Sequence, residues 1–249
     1  MVQDGQATRR REARVVTRPG DLQSEVSRAV RQELEALGFQ RRAEDIFTCE
    51  LGPRAHGWLG VGAVRMRSLL RARVSIDPVI GVRHHPTERL LAELLEEQLH
   101  HYGPPTLSAP LGHVMPGHEH RPWLFMEGHD PAERARRMAW GVRSFGQPFM
   151  RSHTELDALA STLATPGFGF PFQNQLRLPV MYHLLGQNDR AEQYVAERIE
   201  RLGKRRDPDA KYYRRFAGAL REHMACADLE HGADGCAAAL PPDTGKQRA

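Results

Sequence analysis

Thirteen histidines occur in this chain of 249 residues. The densest group is His113, His118, His120 and His129, with His100 and His101 just upstream. Imidazole nitrogens hold a divalent metal when three or four ligands converge. In Gly117-His118-Glu119-His120 an extended backbone would turn both histidines to one side, because strand side chains alternate. His113, His118 and His120 are therefore the candidate metal ligands, with Glu119 a substitute for the first. The flanking Pro116, Gly117 and Pro122 describe an exposed turn, and a solvated polar loop is the competing reading.

A second polar run, Arg83-His84-His85-Pro86, stands where a β-like segment hands over to a helix, followed by Thr87-Glu88. Helix N-termini attract anions, so His84 and His85 are candidate contacts to a partner. The simpler reading is a polar cap that ends the strand. Three aromatic residues, Phe168, Phe170 and Phe172, alternate with Gly169 and Pro171. In an extended chain their rings face one way, to clasp the rest of the protein or to form a partner-binding patch. Trp58 and Trp123 are either core residues or interface anchors of the same kind.

Other chemistry has no matching residues. The chain contains no Gly-x-Ser-x-Gly elbow, no Walker loop, no Gly-x-Gly-x-x-Gly opening a helix and no Cys-x-x-Cys pair. Gly57, Gly60 and Gly62 fall inside a β-like run, where they mark close strand packing or a bulge. The acid pair Glu96-Glu97 lies on a helix surface. No catalytic residues are assigned and no cofactor is expected.

The formal charge is +4, but the first 20 residues alone set Arg9, Arg10, Arg11, Arg14 and Arg18 against Asp4 and Glu12. The remaining chain is thus nearly neutral. A basic arm of this sort can contact phosphates in a salt-sensitive way, which makes Arg9, Arg10, Arg11 and Arg14 the candidate nucleic-acid contacts. The neutral body argues against nucleic acid as the main partner. Only Lys204, Lys211 and Lys246 among the 35 basic residues are lysines, an arginine bias that lowers the weight of any single arginine. No run of about 18 apolar residues marks a membrane span. Cys49, Cys226 and Cys236 are too few and too scattered for a disulfide framework, and a reducing cytoplasm is expected.

The elements that must position these groups follow from periodicity. Leu22, Val26, Val30, Leu34 and Leu37 recur at helical spacing after a cap at Asp21 or Ser24, and Gly38 stops the helix. Strands are predicted over residues 46–51, 58–64 and 74–82, with Pro78 marking an edge or a bulge. A helix follows over 87–100, strands over 106–115 and 123–126, and a helix from Asp130-Pro131 to Ser144. Beyond residue 152 the pattern is helical over 154–163, 179–186, 189–202 and 207–224, interrupted by a loop over 166–174.

The expected class is α+β, an antiparallel sheet flanked by helices and then an all-helical C-terminal part of helical hairpins. The expected organisation is a disordered basic tail at 1–19 and an α+β domain at 20–150. A helical hairpin region packed on it follows at 151–227, then a second disordered tail at 228–249.

Two resemblances add to this. The succession Leu37-Gly38-Phe39, Arg41-Arg42, Ile46-Phe47 and Trp58-Leu59-Gly60-Val61 resembles a bacterial domain family of unknown function, over roughly residues 21–82. That resemblance implies a compact α+β domain in a cytoplasmic bacterial protein and brings no activity with it. The segment Leu185-Gly186-Gln187-Asn188-Asp189-Arg190-Ala191 resembles the centre of a tetratricopeptide unit, whose glycine and alanine let two helices pack closely. Arg198 and Gly203 depart from that pattern, and a single unit implies a helical hairpin rather than a solenoid.

The function expected from these residues is a non-catalytic, immunity- or adaptor-like module that binds another protein. The alternatives are a metal-dependent enzyme built on the His113–His129 region and a nucleic-acid-associated protein anchored by its N-terminal arm.

Overall fold

The structure, a computed structural model, describes residues 19–43, 45–67, 72–165 and 171–235. It is α+β, with an antiparallel five-stranded sheet, helices, and a helical C-terminal part. The first part of the chain runs α1 (Pro19–Ala36), β1 (Gln40–Ala43), β2 (Ile46–Gly52), β3 (Ala55–Gly60), β4 (Ala63–Arg67), β5 (Ala72–Ile76) and β6 (Val79–His84). There follow α2 (His85–Leu95), β7 (Leu107–Pro110), α3 (Leu111–Val114) and β8 (Trp123–Met126). The rest is α4 (Pro131–Gly141), a π-helical turn (Val142–Gly146), α5 (Gln147–Ser152), α6 (Leu156–Leu163), α7 (Pro171–Leu184), α8 (Asn188–Leu202) and α9 (Pro208–Gly235).

The strands form two sheets. One has the order β1-β2-β3-β6-β7 and the other β4-β5-β8. The runs predicted as single strands over 58–64 and 74–82 are each two strands, and each changes sheet midway. The first breaks at Val61-Gly62, between β3 and β4. The second breaks at Asp77-Pro78, between β5 and β6, where proline has no N–H for a ladder. Apolar periodicity does not mark such a crossing, because both halves of each run remain β-like. In the three-stranded sheet Val64 faces Ser75 and Ser75 faces Leu124, while Val74 faces Phe125 and Ile76 faces Trp123. The second set is buried; Val64 and Leu124, on the opposite face, are exposed.

The chain divides into two compact units that interleave along the sequence, a partition different from a linear one at residue 150. One comprises Met1–Cys49, Leu59–Val79 and Pro110–Pro148. Its core joins the α1 stripe Leu22, Val26, Val30 and Leu34 to Val74, Ile76, Trp123, Phe125 and Met138. α1 packs on α4 and on β5. Gly38, at φ +87°, ends α1 in the left-handed conformation that glycine adopts freely. The helix begins at Pro19, earlier than Asp21, since proline suits a first turn whose N–H groups have no acceptor.

The other unit comprises Glu50–Trp58, Ile80–Ala109 and Phe149–Ala249. Here α2 packs on α7 and α9, and α7 on α8. Ile80, Val82, Leu107, Val180, Met181, Val195, Phe216 and Leu220 are its buried centre. The α7–α8 turn has Gly186 at φ +72° and the fully buried Ala191 after it. α7 starts at Pro171 rather than Pro179, so the loop predicted to Asn174 is shorter. Pro179 lies inside this helix and leaves one carbonyl of the preceding turn without its usual donor. α9 continues to Gly235, into the stretch predicted as a tail from Asp228, because Ala227-Asp228-Leu229-Glu230 contains good helix formers and no proline. The tail predicted at 1–19 lies outside the described residues except Pro19, as does 236–249.

Candidate functional site

The junction of β6 with α2 gathers the buried side chains of Arg83, His84, Glu88 and Arg177. Buried polar side chains persist only where hydrogen bonds replace water. His84 caps α2: its Nδ1 accepts from the Thr87 N–H at 3.4 Å and lies 2.8 Å from Thr87 Oγ1. The His84 N–H donates to Thr106 Oγ1 at 2.8 Å. Burial, followed by the nearby His85 and Arg54, pushes the His84 imidazole down to about 4, with Glu88 opposing. The ring is neutral at pH 7. The polar-cap reading of this segment therefore describes what His84 does for the helix.

One turn further on, Glu88 meets two arginines. Arg177, from α7, donates to it twice, Nε to Oε1 at 2.6 Å and Nη2 to Oε2 at 3.0 Å. Arg83 Nη1 lies 3.3 Å from Oε2, and the Thr106 hydroxyl donates to Oε1 at 2.8 Å. Arg83 also donates to the carbonyls of Pro104 at 2.5 Å and His100 at 2.6 Å. Burial is the main cause lowering the Arg83 guanidinium from its ordinary value; Glu88 opposes it and Arg177 adds to it. A carboxylate with four donors and a guanidinium with two carbonyls are fully engaged. They clamp β6, α2 and α7 together.

His85 faces a different neighbour. Its Nε2 lies 2.9 Å from His56 Nδ1, one ring donating and the other accepting. The Tyr102 ring is 6.2 Å from that of His56. His85 also ties its backbone N–H to the Arg54 carbonyl at 2.8 Å, which pins the β2–β3 turn to the start of α2.

The histidines of the 113–120 segment are spread out. His113 is on α3, and its carbonyl accepts from His118 Nδ1 at 2.7 Å. His118 has φ +49°, and His120 Nε2 lies 2.7 Å from Asp77 Oδ2. The loop returns over Gly112, where a Cβ would collide with the Glu119 carbonyl and the Arg121 backbone. Among the described residues no three His, Cys, Asp or Glu side chains form a group suited to a metal.

Trp58 is half-buried in β3, and Trp123 is 6% exposed within the first unit's core, against Gly141. Phe168, Phe170, Arg9, Arg10, Arg11 and Arg14 lie outside the described residues; Phe172 falls within the backbone range of α7.

A third tryptophan, absent from the sequence-based candidates, is the exposed one. Trp140 is 59% exposed on α4. Ala135, Met138, Ala139 and Val142 face inward, so Trp140 shares the outer face with Arg136, Arg137 and Arg143. Phe145 meets its ring edge-on, with centroids 5.6 Å apart. In a regular α-helix residues five apart diverge by about 140°. The π turn at Val142–Gly146 widens the spiral and brings Phe145 back beneath Trp140. A tryptophan on the polar side of an amphipathic pattern was the signal available in the sequence.

Comparison of the chain with protein-family models, with curated proteins and with solved structures returns no match in any of the three. Among the described residues no helix is long and apolar enough to cross a membrane.

Proposed function

We propose that this protein is an adaptor-like binding module whose outer α4 face docks on an acidic protein surface. The observation that carries the reading is Trp140, exposed, braced by Phe145 and lying among Arg136, Arg137 and Arg143. Trp and Arg are the residue types that most often dominate binding energy at interfaces. Arg137 is paired with Glu133 on the same helix, whereas Arg136 and Arg143 have no ion-pair partner among the described residues. A stripe of this charge fits carboxylates on the partner. The sparse cysteines, with Cys49 and Cys226 free, support a cytoplasmic setting.

The test places a photo-crosslinking amino acid at Glu133, exposed on the same outer face of α4, in cells and identifies what it captures. The captured protein is then purified and titrated against the unmodified chain. The expected result is an acidic partner whose affinity falls at least 30-fold with Trp140→Ala, about 2 kcal/mol, and falls again with Arg136→Glu plus Arg143→Glu. An affinity within twofold of the unmodified chain in Trp140→Ala, or capture of nucleic acid alone, overturns the reading.

A further inference from the structure

The second unit contains a pocket of about 530 Å³ beside the start of α2, lined by the cap residue His84 and by side chains the arrangement described above leaves unused. Its wall includes Leu51, Arg54, His84, Glu155, Leu156 and Leu184. The volume is within the usual range for small-molecule sites, which combine an apolar wall with a few placed polar groups. Leu184 is 37% exposed, so its side chain is open to an occupant.

His84, Arg54 and Glu155 are the ionisable residues of its lining. His84, 4% exposed, is one of the residues that line this opening. Its Nδ1 accepts from the Thr87 N–H. With Nδ1 the acceptor for both the Thr87 N–H and the Thr87 hydroxyl, 2.8 Å away, the one proton of the neutral ring sits on Nε2, which is the tautomer this site requires. Arg54 sits in the β2–β3 turn, held in place by the bond from His85 to its carbonyl. Its guanidinium has no ion-pair partner among the described residues. Glu155 stands at the N-cap of α6, where its carbonyl accepts from the Leu159 N–H but its side chain makes no cap bond, and it is exposed. Its charge repels a second anion from the same space.

We infer that this pocket binds a small aliphatic monocarboxylate, with the carboxylate on Arg54 and the His84 Nε2–H and the chain along Leu51, Leu156 and Leu184. The N-terminus of α2 beside it favours the same charge. An uncharged analogue lacks the partner for Arg54, an amine carries the wrong sign, and a dicarboxylate meets Glu155.

Hexanoate, hexan-1-ol, hexylamine and adipate are the probes, titrated into the full chain while the ¹⁵N and ¹H signals of the His84 ring are followed by NMR. Hexanoate is expected to shift the His84 Nε2 signal saturably, with a dissociation constant below about 10 mM. Hexanol, hexylamine and adipate are expected to bind at least 5-fold more weakly. Arg54→Ala, at an exposed turn position, is expected to weaken hexanoate at least 10-fold while the free protein keeps its urea midpoint. The inference is overturned by an unsaturable response to hexanoate. It is equally overturned by adipate or hexanol binding as tightly as hexanoate, or by Arg54→Ala within twofold of the unmodified chain.

Discussion

Arg177 grips both carboxylate oxygens of Glu88, 89 positions away in the chain, through Nε at 2.6 Å and Nη2 at 3.0 Å. Fork-on-carboxylate pairing is the strongest geometry available to a side-chain ion pair. Both side chains are under 10% exposed, so water cannot substitute for either partner. Removing one charge from such a group leaves the other buried and unpaired, which costs about 3–5 kcal/mol. Glu88→Gln is therefore expected to destabilise the protein by that amount, read from the urea midpoint at constant slope. The double variant Glu88→Leu plus Arg177→Met should lose less than the sum of its single variants, because both charges leave together. Strict additivity would show that the two residues are not coupled.

His84 makes stability depend on pH in a defined window. An unfolded histidine titrates near 6.5, whereas burial with His85 and Arg54 nearby holds the folded ring at about 4. Above pH 6.5 both states are neutral and the contribution is complete. As the pH falls from 6.5 towards 4, the unfolded chain takes up a proton that the folded chain refuses, and stability declines. The gap between those values corresponds to roughly 3 kcal/mol. Asparagine is a favoured helix cap that does not titrate. His84→Asn should thus remain folded at pH 7 and show a flatter loss of stability between pH 6.5 and 4. Parallel curves for the two proteins would assign the pH dependence to other groups.

Local signals were legible in the sequence, and long-range ones were not. The α1 stripe from Leu22 to Leu34 and its Gly38 stop need only residues within one helix. So do the helix starts at Asp130 and Asp207, whose carboxylates accept from Ala132 N at 2.9 Å and Ala210 N at 3.1 Å. The change of sheet at Gly62 and Pro78 is invisible to periodicity, because alternation continues through it. The Glu88–Arg177 pair was hidden twice. The arginine-rich composition dulls the meaning of any one arginine, and pairing across 89 positions leaves no local mark. A trace existed in each residue's surroundings. Glu88 lies on the same α2 face as Leu91 and Leu95, and Arg177 stands between Leu176 and Leu178 in a buried run.

Gly81 allows β6 and β7 to approach each other. A Cβ there would lie 2.5 Å from the Leu107 carbonyl oxygen and 2.8 Å from the Pro105 Cβ. The nearest obstacle is backbone, which cannot swing aside as a flexible side chain would. Gly81→Ala must push the strands apart next to Thr106, whose N–H donates to the Val82 carbonyl at 2.8 Å. Overpacking of this kind costs about 1–3 kcal/mol. The measurable outcome is a lower urea midpoint together with faster hydrogen exchange at the Thr106 amide. An unchanged midpoint would mean that β7 has freedom to move.

Glu96 ends α2 in the left-handed region at φ +55°, and its side chain is exposed. Its backbone N–H still reaches the Ala92 and Glu93 carbonyls, so the chain needs this conformation to close the helix. A side chain with a Cβ pays a steric cost there of about 1 kcal/mol, and glycine does not. Glycine also makes the unfolded chain more flexible, which takes back part of the gain. Glu96→Gly should therefore stabilise the protein by about 0.5 kcal/mol, whereas Glu96→Val should destabilise it because a β-branched residue fits the left-handed region poorly. Thermal and urea unfolding of the two variants provide the check. The opposite ranking, with valine the more stable, would show that α2 ends differently in solution.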